Sequence, residues 1–217
     1  MPSGATIRAR SSAFDGDAQK LMAIVNHKER HRLIVEKALE LFARMGYAKV
    51  SFLDISEATG IARTALYRYF KTKREIFDEA IHGTTSRIKR ELEKVVAKPL
   101  PVSKRLELAC AMVIDVLHGK KAFFLAIFDF VFSMVRTGED MSARIEQFTG
   151  GFRVVLRMLI AEGIASGELR RSVDPDDAAD ALYALMESVA LRVLLGVEAD
   201  ARAAKRRFRA MIAALLA

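Results

Sequence analysis

The sequence predicts an all-α protein. Only 4 prolines and 12 glycines interrupt 217 residues rich in Ala, Leu, Glu and Arg, the side chains that hold helices best. Apolar residues recur three and four positions apart through most of the chain, which is the spacing of one helix face. Where that spacing stops, a Gly, a Pro or an Asp–Pro pair stands at the break.

Residues 1–25 contain Ser, Ala and Arg with little periodicity and read as a mobile basic arm. Arg8 and Arg10 could reach a minor groove, although a tail without a role is the plainer reading. Asn26, with Glu29 three residues on, can cap a first helix. Its apolar face is Ile34, Ala38, Leu41, Phe42 and Met45, and Gly46 ends it.

The stretch SFLDISEATGIARTALYRYFKTK at 51–73 has the grammar of a helix-turn-helix. Ser51 and Asp54 form an S-x-x-D box at the start of a short helix, with Ile55 and Ala58 apolar. Gly60 can leave that helix through positive φ. A second short helix buries Leu66 and Phe70, one turn apart. It leaves Arg63, Thr64, Tyr67, Arg68 and Tyr69 as donors, hydroxyls and cations. Arginine can read guanine bidentately and hydroxyls can hold phosphates, so this face suits a DNA major groove.

A fourth helix starts near Lys73, opens with Ile76, Phe77, Ala80 and Ile81, and runs towards Pro99. Helices follow over about 102–118, 121–136 and 140–166, where Gly150 and Gly151 could kink or divide the last. Asp174-Pro175-Asp176-Asp177 is a strong start signal, with a cap, a first-turn proline and acids at the positive end of the dipole. That helix reaches Leu195, and a final one occupies about 200–216.

The helix-turn-helix sits in a longer match. From Leu33 to Phe77 the chain resembles the amino-terminal domain of the TetR family of transcriptional regulators. The matching residues are ALELF at 38–42, GY at 46–47, SFLDIS at 51–56, ATGI at 58–61, LYRYF at 66–70 and KREIF at 73–77. One position departs: Ala62 stands where the family has a Ser or Thr cap, at a cost of about 1 kcal/mol. The resemblance implies a DNA-binding domain at 26–75 and an effector-binding and dimerisation domain at 76–217. It puts Arg63, Thr64 and Ala65 at base edges, and Tyr67, Tyr69 and Lys73 on phosphates. Arg68 suits either task. Ser51 and the helix it caps can offer backbone N–H groups to another phosphate.

Charge agrees with that division. Residues 1–75 hold 14 Lys and Arg against 8 Asp and Glu, while 76–217 hold 21 against 19. The basic excess lies with the helix-turn-helix. The single cysteine, Cys110, excludes an internal disulfide and fits a reducing cytoplasm. The first 20 residues lack an apolar core for a signal peptide, and no apolar run is long enough for a bilayer, so no membrane association is expected.

Two features of the second domain point to partners. On the helix after Asp174, Ala178, Leu182, Leu185 and Val189 form one apolar stripe, and Tyr183, Met186, Ala190 and Leu194 another. One stripe can cover the chain's own core; the other then needs a partner. The last helix repeats the theme with Ala204, Phe208, Met211, Ile212 and Leu215. By resemblance, these two helices from each of two chains make a homodimer, with Leu182, Leu185, Val189, Phe208, Met211, Ile212 and Leu215 at the interface.

Phe123, Phe124, Phe128, Phe130 and Phe132 cluster on the 121–136 helix and predict a central position for it. Family members hold apolar effectors among these helices, and Cys110, Met112, Phe128, Met134 and Phe152 are candidates to line such a site. Asp129 interrupts the aromatic run and could pair with Arg153, Arg157 or a polar group of a ligand.

No catalytic constellation stands out. His27 and His31 lack the glutamate of a zinc-protease motif and read as a solvated basic helix start. No phosphate loop, nucleophile elbow, metal-ligand set or cofactor signature is present. The expected function is sequence-specific binding of a pseudo-palindromic double-stranded DNA operator, with repression relieved by an apolar small molecule. The alternative is a helical interaction protein whose basic head engages a partner protein or an anionic surface.

Overall fold

The computed structural model describes the backbone of residues 4–197 and 200–217, and side chains from residue 25 onward within those ranges except 144 and 147–149. Among these residues the chain is all-helical: α1 (Gly4–Met45), α2 (Phe52–Thr59), α3 (Arg63–Tyr69), α4 (Lys73–Val96), α5 (Val102–Gly119), α6 (Lys121–Arg136), α7 (Ser142–Ala165), α8 (Pro175–Leu194) and α9 (Ala201–Ala213). α1 extends back through the segment read from sequence as an arm, with no break at Asn26. Residues 4–24 contain no proline to stop it. The Arg8 and Arg10 side chains lie outside the described residues. α7 runs undivided through Gly150 and Gly151.

By contact the chain forms two units. The first comprises the residues up to Leu41 with Val50–Ala80; the second, Phe42–Lys49 with Ile81–Ala217. The first unit, the head, buries Ile34, Ala38, Leu41, Ile55, Leu66, Phe70, Ile76 and Phe77. These are the apolar positions of α1 to α4, so the helical period is converted directly into a core.

The second unit, the body, packs α5, α7, α8 and α9 around Leu106, Cys110, Ile114, Leu159, Leu182 and Phe208. α6 is not the central helix its aromatic content suggested. Phe123 and Phe130 are buried, but Phe132 and Val135 remain 55% and 53% exposed. Phenylalanines distributed all round a helix bury only where neighbours exist to receive them.

Polar clamps brace the body. Arg105 of α5, only 9% exposed, donates through Nε to the Leu100 carbonyl and through Nη1 to the Val96 carbonyl, both at 3.1 Å. Its guanidinium also clasps the Glu162 carboxylate of α7. A buried cation is thus paired, with four of its N–H groups placed on acceptors. α5 begins after Pro101, which supplies no side-chain cap. Glu168 acts as the cap instead, accepting the Val102 and Ser103 N–H groups at 2.6 and 2.9 Å. Burial works to raise the Glu168 carboxyl, but the Ser103 side chain and these amides outweigh it and hold the group below its ordinary value. Just past it, Arg170 N–H donates to the Leu215 carbonyl at 3.0 Å, and Ala217 N–H to the Glu168 carbonyl at 3.1 Å.

Gly163 marks the tightest approach in this region. A Cβ there would lie 2.7 Å from Leu169 Cγ, 2.8 Å from Leu169 Cδ1 and 3.1 Å from Val102 Cγ1. Leu169 and Val102 are themselves buried, so neither can swing away. Gly163→Ala is expected to lose about 1–3 kcal/mol to overpacking. That outweighs the gain of up to about 1 kcal/mol that alanine brings to a helix interior. Thermal unfolding followed by circular dichroism reads the balance; an unchanged or raised midpoint would show that the contact relaxes freely.

Candidate DNA-binding interface

The reading head is assembled from local chemistry. Ser51 caps α2: its Oγ accepts the Asp54 N–H at 3.3 Å, and the Asp54 carboxylate accepts the Ser51 N–H at 2.7 Å. The Ser51 hydroxyl also donates to Asp54 and, with the Ser51 amide, holds that carboxyl below its ordinary value. Gly60, at φ 68°, closes α2 by donating its N–H to the Ser56 carbonyl. Both devices are those the sequence announces.

α3 begins without a side-chain cap, as Ala62 requires. The turn is built from the preceding helix instead. Ser56 Oγ donates to the Ile61 carbonyl at 2.8 Å, and Thr59 Oγ1 accepts the Ile61 N–H at 3.2 Å. Leu66 and Phe70 then anchor α3 by burial, while Arg63, Thr64, Tyr67 and Arg68 lie exposed and Ala65 is half-buried. Four potential DNA contacts therefore share the outward side of one short helix.

The aromatic residues have definite supports. Tyr67 stacks on Phe52 of α2, with centroids 4.7 Å apart and planes 6° from parallel, and stays 38% exposed. Its ring is held by the protein while its outer part remains accessible. Tyr69 is half-buried against His27, centroid to centroid 4.6 Å, and His31 lies 4.7 Å from Phe70. The two histidines are thus packing partners of the α3 end and not merely a solvated helix start. Lys73 Nζ donates to the Val50 carbonyl at 3.0 Å, and burial lowers its pKa. This lysine ties the start of α4 to the turn before α2, a role its sequence position did not reveal.

The expected dimer residues need correction. Leu182, Val189, Phe208 and Ile212 are at most 1% exposed within the single chain. They have no surface left to give to a partner and belong to the body's own core. Leu185, Met211 and Leu215 are partly buried beside that core. The inner face of α8 draws on Ala179, Leu182, Met186, Val189 and Val193, taking members of both stripes read from sequence. Its outer face carries Ala181, Ala184, Ser188 and Leu191, continued by Leu195, all exposed. Leu191 and Leu195 are 50% and 68% exposed. α9 likewise turns Ala210 and Ala213 outward.

Of the candidate effector residues, Cys110 is fully buried, and burial pushes its thiol pKa up to about 12. It is therefore a packing group and not a nucleophile. Met112, Phe128, Met134 and Phe152 are half-buried. Asp129 takes neither cation foreseen for it: Arg153 pairs with Asp180, and Arg157 with Asp176. It accepts the Tyr47 backbone N–H instead. Among the described residues no helix is long and apolar enough to cross a membrane, and no group of three or more His, Cys, Asp or Glu residues could hold a metal ion.

Comparison with known proteins agrees with this geometry. Residues 34–80 match the family described as bacterial regulatory proteins, tetR family, and residues 102–217 match the BetI-type transcriptional repressor, C-terminal. The HTH-type transcriptional repressor DhaR of Mycobacterium sp. (strain GP1) is 26% identical over 164 residues, covering 74% of this chain and 80% of the relative. The fatty acid metabolism regulator protein of Bacillus subtilis (strain 168) is 21% identical over 147 residues, covering 68% and 74%. The crystal structure of the transcriptional regulator FadR from Bacillus subtilis, in complex with stearoyl-CoA, shares the fold. Its TM-score is 0.67 at 20% identity, over 83% of this chain and 96% of that one. With an exposed recognition helix in its head and a matching body, the chain belongs to the TetR family and is a DNA-binding transcriptional regulator, not an enzyme.

Proposed function

We propose that the protein acts in the cytoplasm as a homodimer on a pseudo-palindromic operator, repressing transcription until an apolar small molecule releases it. The observation that carries the DNA reading is the outward side of α3, where Arg63, Thr64, Tyr67 and Arg68 stand exposed together. Arg63, Thr64 and Ala65, at the start of the helix, meet base edges, and Tyr67 holds a phosphate through its hydroxyl. Arg68 serves either purpose. Ser51 offers its end of α2 to a phosphate. Tyr69 and Lys73 contact the backbone only with whatever reach their packing partners leave them.

The second copy docks on the outer faces of α8 and α9, where Leu191, Leu195 and the exposed alanines form an apolar surface that a lone chain leaves in water. Leu185, Met211 and Leu215 border it. Small residues let helices from the two copies approach closely, and the two-fold axis this creates matches operator symmetry.

The effector enters the body among α5, α6 and α7, beside Met112, Phe128, Met134 and Phe152. The B. subtilis neighbour holds stearoyl-CoA, and a neighbour from Mycobacterium tuberculosis is described as a ketosteroid regulator. A long apolar tail or a fused-ring skeleton is the class of ligand favoured here.

Selection of bound sites from random duplex DNA tests the central reading. A two-fold symmetric consensus is expected. Recovery of unrelated sequences at equal affinity would favour a basic head that engages anionic surfaces without reading them.

A further inference from the structure

Asp129 is the one acid in the aromatic helix α6, and among the described residues it pairs with no cation. Its Oδ2 accepts the Tyr47 backbone N–H at 2.7 Å, across 82 residues of sequence. The partner segment is the turn that follows α1. Gly46 leaves the helix at φ 85°, its N–H closing on the Phe42 carbonyl at 2.9 Å. A Cβ on Gly46 would come within 3.3 Å of Asp129 Oδ2. The next residue of each segment also meets: the Tyr47 ring lies edge-on to Phe130, with centroids 4.7 Å apart. Tyr47 is 7% exposed and Phe130 fully buried. Residues 42–49 accordingly group with the body, although the chain on either side of them belongs to the head.

We propose that Asp129 is a positioning residue for DNA binding: its carboxylate fixes the turn at 46–47 through which the chain leaves the body and enters α2. The inference rests on the operator-binding reading above. Burial of Tyr47 against Phe130 already holds the turn by bulk. An apolar residue at 129 would add to that without the cost of desolvating a carboxylate. What the carboxylate contributes is direction, since a hydrogen bond fails once donor and acceptor part beyond about 3.5 Å or lose alignment. A shift of α6 by about 1 Å is therefore enough to break this bond and leave the turn held by bulk alone. With the bond made, the 46–47 turn leading into α2 keeps one conformation; with it broken, that turn samples more conformations and operator binding must select among them.

The test compares Asp129→Leu, which keeps the approximate bulk and removes the acceptor, with Asp129→Asn, which keeps an acceptor and removes the charge. Operator affinity, scrambled-duplex affinity, sedimentation and thermal midpoint are measured for each. The Leu variant should remain dimeric, melt within a few degrees of the wild type and lose roughly tenfold in operator affinity. The Asn variant should stay within about threefold of the wild type. The salt dependence should keep its slope in both, because no phosphate contact is removed. If the Leu variant does not fold, Asp129→Ala removes the same acceptor without adding bulk and carries the same expectation. Wild-type affinity in the acceptor-free variant overturns the proposal, as does an Asn variant as weak as the Leu variant. Failure of the wild type itself to prefer operator over scrambled duplex would sink the DNA reading instead, which keeps the two failures apart.

Discussion

Replacing Leu191 and Leu195 together by glutamate is expected to produce a folded monomer that has lost operator binding. Both side chains point out of the body and are at least half exposed, so the isolated chain tolerates charge at these positions. In a dimer formed on the outer face of α8, the same change removes four leucines from the contact and places four carboxylates in it. Each lost leucine forfeits about 1.5–3 kcal/mol of burial, and each buried charge costs more. Dissociation at micromolar concentration follows. Each half-site must then be bound singly, which lowers apparent operator affinity by about a hundredfold or more. Sedimentation and operator titration read the two effects. Leu182→Glu provides the contrast, because that side chain lies in the core, and its variant should unfold. A stable dimer in the Leu191/Leu195 variant would show that the copies meet elsewhere.

Arg63→Ala should cost about 1–3 kcal/mol per half-site, hence roughly 2–6 kcal/mol for a dimer on its operator, and should relax preference at one base pair of each half-site. The argument depends on place: Arg63 opens α3, is exposed, and stands at the end where a recognition helix comes nearest to base edges. Tyr67→Phe should behave differently. The ring stays stacked on Phe52 and only the hydroxyl leaves. Binding to all sequences should weaken by one common factor, since phosphate contacts carry no base identity. Competition between operator and scrambled duplexes separates the two. Equal weakening on both duplexes by Arg63→Ala would make Arg63 a phosphate contact; no weakening would move the recognition surface off α3.

What could be read from the sequence was mainly what is encoded locally. The Ser51–Asp54 box, the exit at Gly60, the missing cap at Ala62 and the acid-rich start at Asp174 each depend on residues within a few positions of one another, and each is present. The outer face of α8 was not legible, because Ala181, Ala184 and Ser188 carry almost no hydropathic signal in either direction. The stronger residues Leu182, Met186 and Val189 drew attention to the side that turned out to be core. Contacts between distant segments were hidden for a different reason. Nothing near Asp129 names Tyr47, nothing near Arg105 names Glu162, and nothing near Lys73 names Val50. Such pairings exist only once the helices are packed, and no periodicity reports them.

The uncapped start of α3 has a thermodynamic consequence. A seven-residue helix without a side-chain cap is too short to persist by its own hydrogen bonds and is held mainly by Leu66 and Phe70 beneath it. Its first turn therefore depends on that burial and on the bonds from Ser56 and Thr59 to Ile61 rather than on a cap of its own. If contact with DNA orders that turn further, calorimetry should show a favourable heat of binding offset by an entropic penalty. Discrimination between operators then includes how well each one completes the helix, so two sequences offering equal contacts need not bind alike.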